Sequence, residues 1–168
     1  IFVALELLSI PAYLLAAWRK RDLKSNEAGL KYMLMGVFAS GIMLYGMSLL
    51  YGVAGDTRLS VIAEKLTNEG TKPLLTLAAI FTLIGFAFKV SAVPFHFWSP
   101  DVYEGAPTPV SGFLSTASKA AGFAVLVRLF FVAFPEYGGV WTIALAVLSA
   151  ITMTVGNLLT LQQTNIKR

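Results

Sequence analysis

The chain has 168 residues, 57% of them hydrophobic and 13% charged, with a formal net charge of +4. A soluble domain carries about 25% charged residues, so the medium around this chain is read as lipid. Cysteine is absent and histidine occurs once, which excludes a disulfide framework, a thiolate metal site and a histidine-rich cluster; the basic residues gather at the ends of apolar runs, as juxtamembrane charges do, and not on a nucleic-acid-binding face.

A helix needs roughly 20 residues to cross the hydrocarbon core of a bilayer. The first apolar run is Ile1 to Trp18, closed by Arg19-Lys20-Arg21-Asp22. It begins inside an apolar stretch with no basic leader, and is read as an internal piece of a longer membrane protein. Glu6 lies in this run, sharing a helical face with Ser9, Ile10, Tyr13 and Ala17. A carboxylate there calls for a partner inside the membrane; the alternative is an interfacial position. The second run spans about Ala28 to Val53. A polar stretch follows from Gly55 to Lys72, with balanced charge at Asp56, Arg58, Glu64, Lys65, Glu69 and Lys72; within it "LSVIAEKL" suits a short interfacial helix.

The third run starts at Pro73 and continues to about Tyr103, some 31 residues. As one helix it would be ~46 Å long, more than the core requires. Pro94 removes a backbone donor and disfavours helical geometry at Val93. A break near 90–94 is expected, and irregular backbone at membrane depth survives only against protein or a water-filled cavity. Such broken helices mark ion and substrate sites; the plainer reading is a proline kink with Trp98 and Tyr103 in an interfacial belt. Lys89 lies at the break. A charged group inside a membrane is costly and usually faces the protein interior; a lysine near a helix end can also snorkel. His96, just beyond, could relay protons or could be a buried ring bonded to the broken backbone, and both readings stay open.

The fourth run extends from about Pro109 to Phe134, and the fifth from about Val140 to Leu161. Ser99-Pro100 and Thr108-Pro109 each place a capping hydroxyl before a proline at a helix start. Pro135 and Gly138-Gly139 are expected to close the fourth run. Lys119 lies near mid-depth on a face of small residues with Gly112, Ser115 and Gly122. Arg128 is an anchor nearer the outer surface. Asp101 and Glu104 are helix-start and loop acids, with proton capture at an entrance as the alternative. The basic clusters Arg19–Lys24 and Lys167–Arg168 are separated by four crossings, so they fall on one side, the cytoplasmic side by the positive-inside rule. The acidic loop around Asp101–Pro107 falls on that side too.

The reading is an all-α polytopic membrane protein, residues 1–168 forming one helical fragment with spans near 1–18, 28–53, 73–103, 109–134 and 140–161. Glu6, Lys89, Lys119 and His96 form a candidate chain of titratable groups, in which a proton gained at one site changes the field at the next. No nucleophile–base pair, phosphate-binding glycine loop or metal cluster is visible.

"KVSAVPFHFWSPDVYEGAPTPVSGFLSTASKAAGF" (Lys89–Phe123) closely resembles the antiporter-like N-type subunit family (subunit 2 in mitochondria) of respiratory complex I, the proton-pumping NADH:quinone oxidoreductase. "LELLSIPAY" and "GNLLTLQQTNIKR" fit the same family in the same order. The resemblance implies an antiporter-like fold of inverted five-helix repeats, each with a discontinuous helix, of which this chain would hold helices five to nine. It implies that Glu6 pairs with Lys89, that Lys119 continues the relay, and that His96 matches a polar position at the break. It implies no cofactor in this chain: NADH, FMN, iron–sulfur clusters and quinone belong to other subunits. The implied partners are the other membrane subunits of the complex, including neighbouring antiporter-like ones, and the lipid bilayer, most simply the bacterial inner membrane, with thylakoid and mitochondrial inner membranes as alternatives. Two other functions remain in view, a subunit of a multisubunit cation/proton antiporter and a structural scaffold whose lysines only pack or snorkel.

Overall fold

A computed structural model describes residues 1–65, 72–134 and 138–168. Pro135 and Glu69 lie outside the described residues. Among those described, all regular structure is helical: α1 (Phe2–Ala16), α2 (Leu23–Ala54), α3 (Leu59–Lys65), α4 (Lys72–Val90), α5 (Trp98–Gly105), α6 (Thr108–Ser115), α7 (Ala117–Ala133) and α8 (Gly138–Leu161). Helix α2, α4, the α6–α7 pair and α8 are each long and apolar enough to cross a membrane; α1 is apolar but shorter.

Helix α2 starts five residues before the apolar run does. Asp22 caps it by accepting a hydrogen bond from the Lys24 amide at 3.0 Å, and its polar first turns stand beyond the apolar stretch. Helix α3 coincides with the expected interfacial "LSVIAEKL" segment.

Helix α4 packs chiefly on α2, because each offers a glycine to the other. A Cβ on Gly46 would meet Ala78 O and Thr82 N of α4 at 2.8 Å, and one on Gly85 would meet the Met43 side chain. Small residues at such crossings bring backbones together where lipid supplies no hydrophobic drive. Thr82, fully buried there, donates to Ala78 O at 2.8 Å and leaves no polar group unpaired.

Two apolar clusters fill the bundle. One joins Leu50, Phe86, Leu126 and Phe130. The other, at the end where α1 turns into α2, holds Tyr13, Tyr32, Phe88, Trp98 and Val102. Tyr32 stacks on Trp98 at 4.4 Å and meets Tyr13 edge-on at 4.7 Å, arrangements that aromatic quadrupoles favour.

Several local expectations need correction. The irregular stretch runs from Ser91 to Phe97, further than the 90–94 anticipated, because α5 does not restart until Trp98. Ser99 and Thr108 do not cap their helices: Ser99 already lies inside α5 and its hydroxyl donates to His96 O, while Thr108 opens α6 behind Pro107. The fourth run is interrupted at Thr116, which together with Ser115 donates its hydroxyl to Gly112 O. Such back-bonding competes with the helical ladder and bends it. Gly138 and Gly139 open α8 and do not close α7.

The ends of the bundle test the side assignments. Lys24 pairs with Glu104 at 2.6 Å, and Arg168 with Asp101 at 2.6 Å. The α1–α2 turn, the α5–α6 loop and residues 167–168 therefore meet at one end, as the even number of crossings requires. Asp101 and Glu104, expected near a loop, lie inside α5, and their acidity is matched by the basic residues they face.

Candidate relay site

Helix α4 ends at Val90 in a Schellman turn. Ala92 N donates to Ala87 O at 2.8 Å and Ser91 N to Phe88 O at 3.0 Å, with Ser91 in the left-handed position at φ 59°. Two further bonds hold the irregular stretch. The Trp98 indole donates to Phe88 O at 3.1 Å, and Val93 N donates to Thr152 Oγ1 of α8 at 3.0 Å. The first three amides of the broken stretch, Ser91 to Val93, are thus satisfied by protein, as irregular backbone at membrane depth requires.

This turn sets Lys89 in the last turn of a half-helix. A helix C-terminus carries roughly half a negative charge, which favours a cation by about 0.3–1 kcal/mol and up to ~2 kcal/mol when partly buried. Lys89 is only 7% exposed. Its ammonium donates to Ser9 Oγ of α1 at 2.9 Å, and Ser9 donates onward to Leu5 O at 2.7 Å. Glu6 lies one turn before Ser9 and accepts from Ser40 Oγ of α2 at 2.6 Å. Among the described residues no direct ion pair joins Glu6 to Lys89. Instead Glu6, Ser9, Ser40 and Lys89 line a cavity of about 20 Å³, room for about one water. Ser9 and Tyr13 of the expected α1 face are buried, whereas Ile10 points outward, 54% exposed, because it lies on the other side of the helix from Ser9's contact.

Lys119 sits in the first turn of α7, half-buried, with its ammonium 5.5 Å from the centroid of the Tyr103 ring. The small-residue face divides at the Thr116 interruption. Gly122 packs on Lys89, whose Cγ a Cβ there would meet at 3.3 Å, while Gly112 faces open space. Arg128 is exposed. His96 lies within the irregular stretch, but it is its backbone carbonyl that is engaged, by Ser99; the ring Nδ1 is buried and has no hydrogen-bond partner among the described residues. The ring is therefore not bonded to the broken backbone, and it does not join the Glu6–Lys89 network. Among the described residues no cluster of His, Cys, Asp and Glu could hold a metal ion.

Ser40, Thr152 and the contact of Ser9 with Lys89 escaped sequence reading. Ser9 carried a signal, its helical spacing from Glu6; a hydroxyl in the middle of α2 or α8 carried none that distinguished it from its neighbours.

Over residues 1–168 the sequence matches the family described as NADH:quinone oxidoreductase/Mrp antiporter, TM. The chain belongs to this family. It is 54% identical over its whole length to NADH-quinone oxidoreductase subunit N of Moorella thermoacetica, covering 35% of that protein. It is 52% identical to NAD(P)H-quinone oxidoreductase subunit 2 of a Synechocystis species, covering 33% of it. The chain thus spans about a third of the length of the curated relatives it matches. In respiratory complex I from Thermus thermophilus, 99% of the chain superposes on 35% of one subunit with a TM-score of 0.81 at 45% identity. In an archaeal membrane-bound sulfane sulfur reductase the TM-score is 0.79 at 27% identity, over 99% of this chain and 34% of that one. Family membership and apolar helices together make the chain an integral membrane segment of an antiporter-like fold.

Proposed function

We propose that the chain is part of a proton-translocating membrane subunit of NADH:quinone oxidoreductase, seated in a bacterial inner membrane among the other membrane subunits of the complex. It performs no redox chemistry and holds no cofactor; protons move through it while quinone is reduced elsewhere. The observation that carries this reading is the buried Lys89 ammonium at a half-helix end, separated from Glu6 by Ser9 and a cavity of one-water size. A structural ion pair would close the gap. An open gap lets each group change charge while the other's field persists.

In this scheme Glu6 tunes Lys89, Lys89 is the central exchanging group, and Lys119 passes the proton onward. Exchanging either lysine for methionine, which keeps length and loses charge, should lower proton pumping and coupled quinone reduction in membrane vesicles carrying the assembled complex. Unimpaired pumping in both variants would sink the assignment. The family description also names Mrp antiporters. Co-purification separates that second reading: a complex I subunit brings NADH-oxidising peripheral subunits with it, and an antiporter subunit does not.

A further inference from the structure

Two buried hydroxyls stand near the two lysines, one on Ser91 just past the end of α4 and one on Tyr103, whose ring meets Lys119. Ser91 Oγ and Tyr103 Oη both lack a hydrogen-bond partner among the described residues. Tyr103 Oη is within reach of the Ser91 hydroxyl, short of full hydrogen-bond geometry. Buried polar groups are nearly always paired, so two open ones side by side call for a reason.

Ser91 adds a second anomaly. It holds the left-handed position of the Schellman turn, at φ 59°, where glycine is the usual residue because a Cβ is penalised. A serine there accepts backbone strain and buries an unsatisfied hydroxyl, two costs glycine would avoid. Strain held at one position is a pointer to function. Tyr103 adds a third observation: its ring carries the Lys119 ammonium at 5.5 Å, and among the described residues no carboxylate pairs with that lysine.

We propose that Ser91 and Tyr103 form the lateral step between Lys89 and Lys119, Tyr103 holding Lys119 on its ring and passing the proton through its hydroxyl. The inference rests on the proton-translocating reading of this site. The Lys89 ammonium releases one proton and becomes a neutral amine. Once the Lys119 ammonium has handed its own proton onward and become an amine, Ser91 Oγ takes the Lys89 proton as its own passes to Tyr103 Oη, whose original proton passes to Lys119. Each hydroxyl ends with the proton count it began with, and only N–H and O–H bonds change. Lys89 must swing from Ser9 on its flexible stem, and water spans any gap beyond hydrogen-bond reach.

The test uses the intact complex in native membrane vesicles, with Tyr103→Phe, Ser91→Gly and Lys89→Met made separately. Tyr103→Phe keeps the ring under Lys119 and removes only the hydroxyl. Ser91→Gly removes the other hydroxyl while suiting the left-handed backbone, so loss of fold does not confound it. Expected for both are normal assembly, normal NADH oxidation by an artificial acceptor, a several-fold fall in protons moved per electron, and a larger solvent deuterium effect on the coupled rate. A purely structural role would leave that isotope effect unmoved. Should Tyr103→Phe fail to assemble, Ser91→Gly alone decides. Wild-type stoichiometry and isotope effect in the hydroxyl variants, with Lys89→Met impaired, overturns the lateral step and leaves the function standing. Unimpaired pumping in Lys89→Met overturns both.

Discussion

Ser9 Oγ stands 2.9 Å from Lys89 Nζ and donates its own proton to Leu5 O. The serine is thus oriented by its helix to present lone pairs, and only lone pairs, to the ammonium. Both residues are buried, at 5% and 7% exposure.

Ser9→Ala removes that acceptor and leaves a buried cation unsatisfied, at a cost of about 1–3 kcal/mol. The variant should melt at a lower temperature in detergent and pump fewer protons per electron. Ser9→Thr, which keeps the hydroxyl and the helical back-bond, should recover most of both. Equal melting and equal pumping in Ser9→Ala would show that the ammonium is held some other way.

The α2–α4 crossing makes a contrast between two glycines of one helix. On Gly46 a Cβ would lie 2.8 Å from backbone atoms of α4, which cannot swing aside; on Gly41 it meets nothing within 4 Å. Gly46→Ala should destabilise by about 1–3 kcal/mol, the range for overpacking. Gly41→Ala should be neutral or stabilise by up to about 1 kcal/mol through helix propensity. Thermal melts of the two purified variants decide it; equal behaviour would mean the helices are further apart than described here.

At the charged end, the Lys24 ammonium bonded to Glu104 holds that carboxyl below the usual carboxylate range, with Arg168 adding to the effect. A depressed value means the attraction is complete above the ordinary glutamate value of about 4.3 and is lost only as pH falls through the lower folded-state value. Protection of the amides in residues 162–168, taken relative to the intrinsic exchange rate at each pH, should therefore stay constant from neutral to mildly acidic pH and fall only below that. Because Lys24 is 71% exposed, salt should weaken the cluster as well. Protection already lost near pH 6 would remove Glu104 from the account.

The two kinds of sequence signal differ in what they could reach. Lys89 and Lys119 were legible because a charge in an apolar run is costly and must be explained by its surroundings. The break was legible because Pro94 and simple length arithmetic both demanded it. Its extent was not: that depends on Trp98, whose indole reaches back to Phe88 O, and on Thr152, 59 residues on in the sequence yet beside Val93. Nothing local to the 91–97 stretch encodes either partner. The interruption at Thr116 was missed for the opposite reason. Its cause is local, two neighbouring hydroxyls bonding Gly112 O, but serine and threonine inside an apolar run are common enough to pass unremarked.

Helix α5 is gripped at both extremities. At its start the Trp98 indole is tied to α4; past its last turn Lys167 donates to Glu104 O at 3.0 Å and to Ala106 O at 2.8 Å, beside the carboxylates held by Lys24 and Arg168. A rod clamped so cannot act as a lever. A change of charge at Lys89 would then be met by side-chain rotation around Ser9 and Ser40, and not by movement of α5.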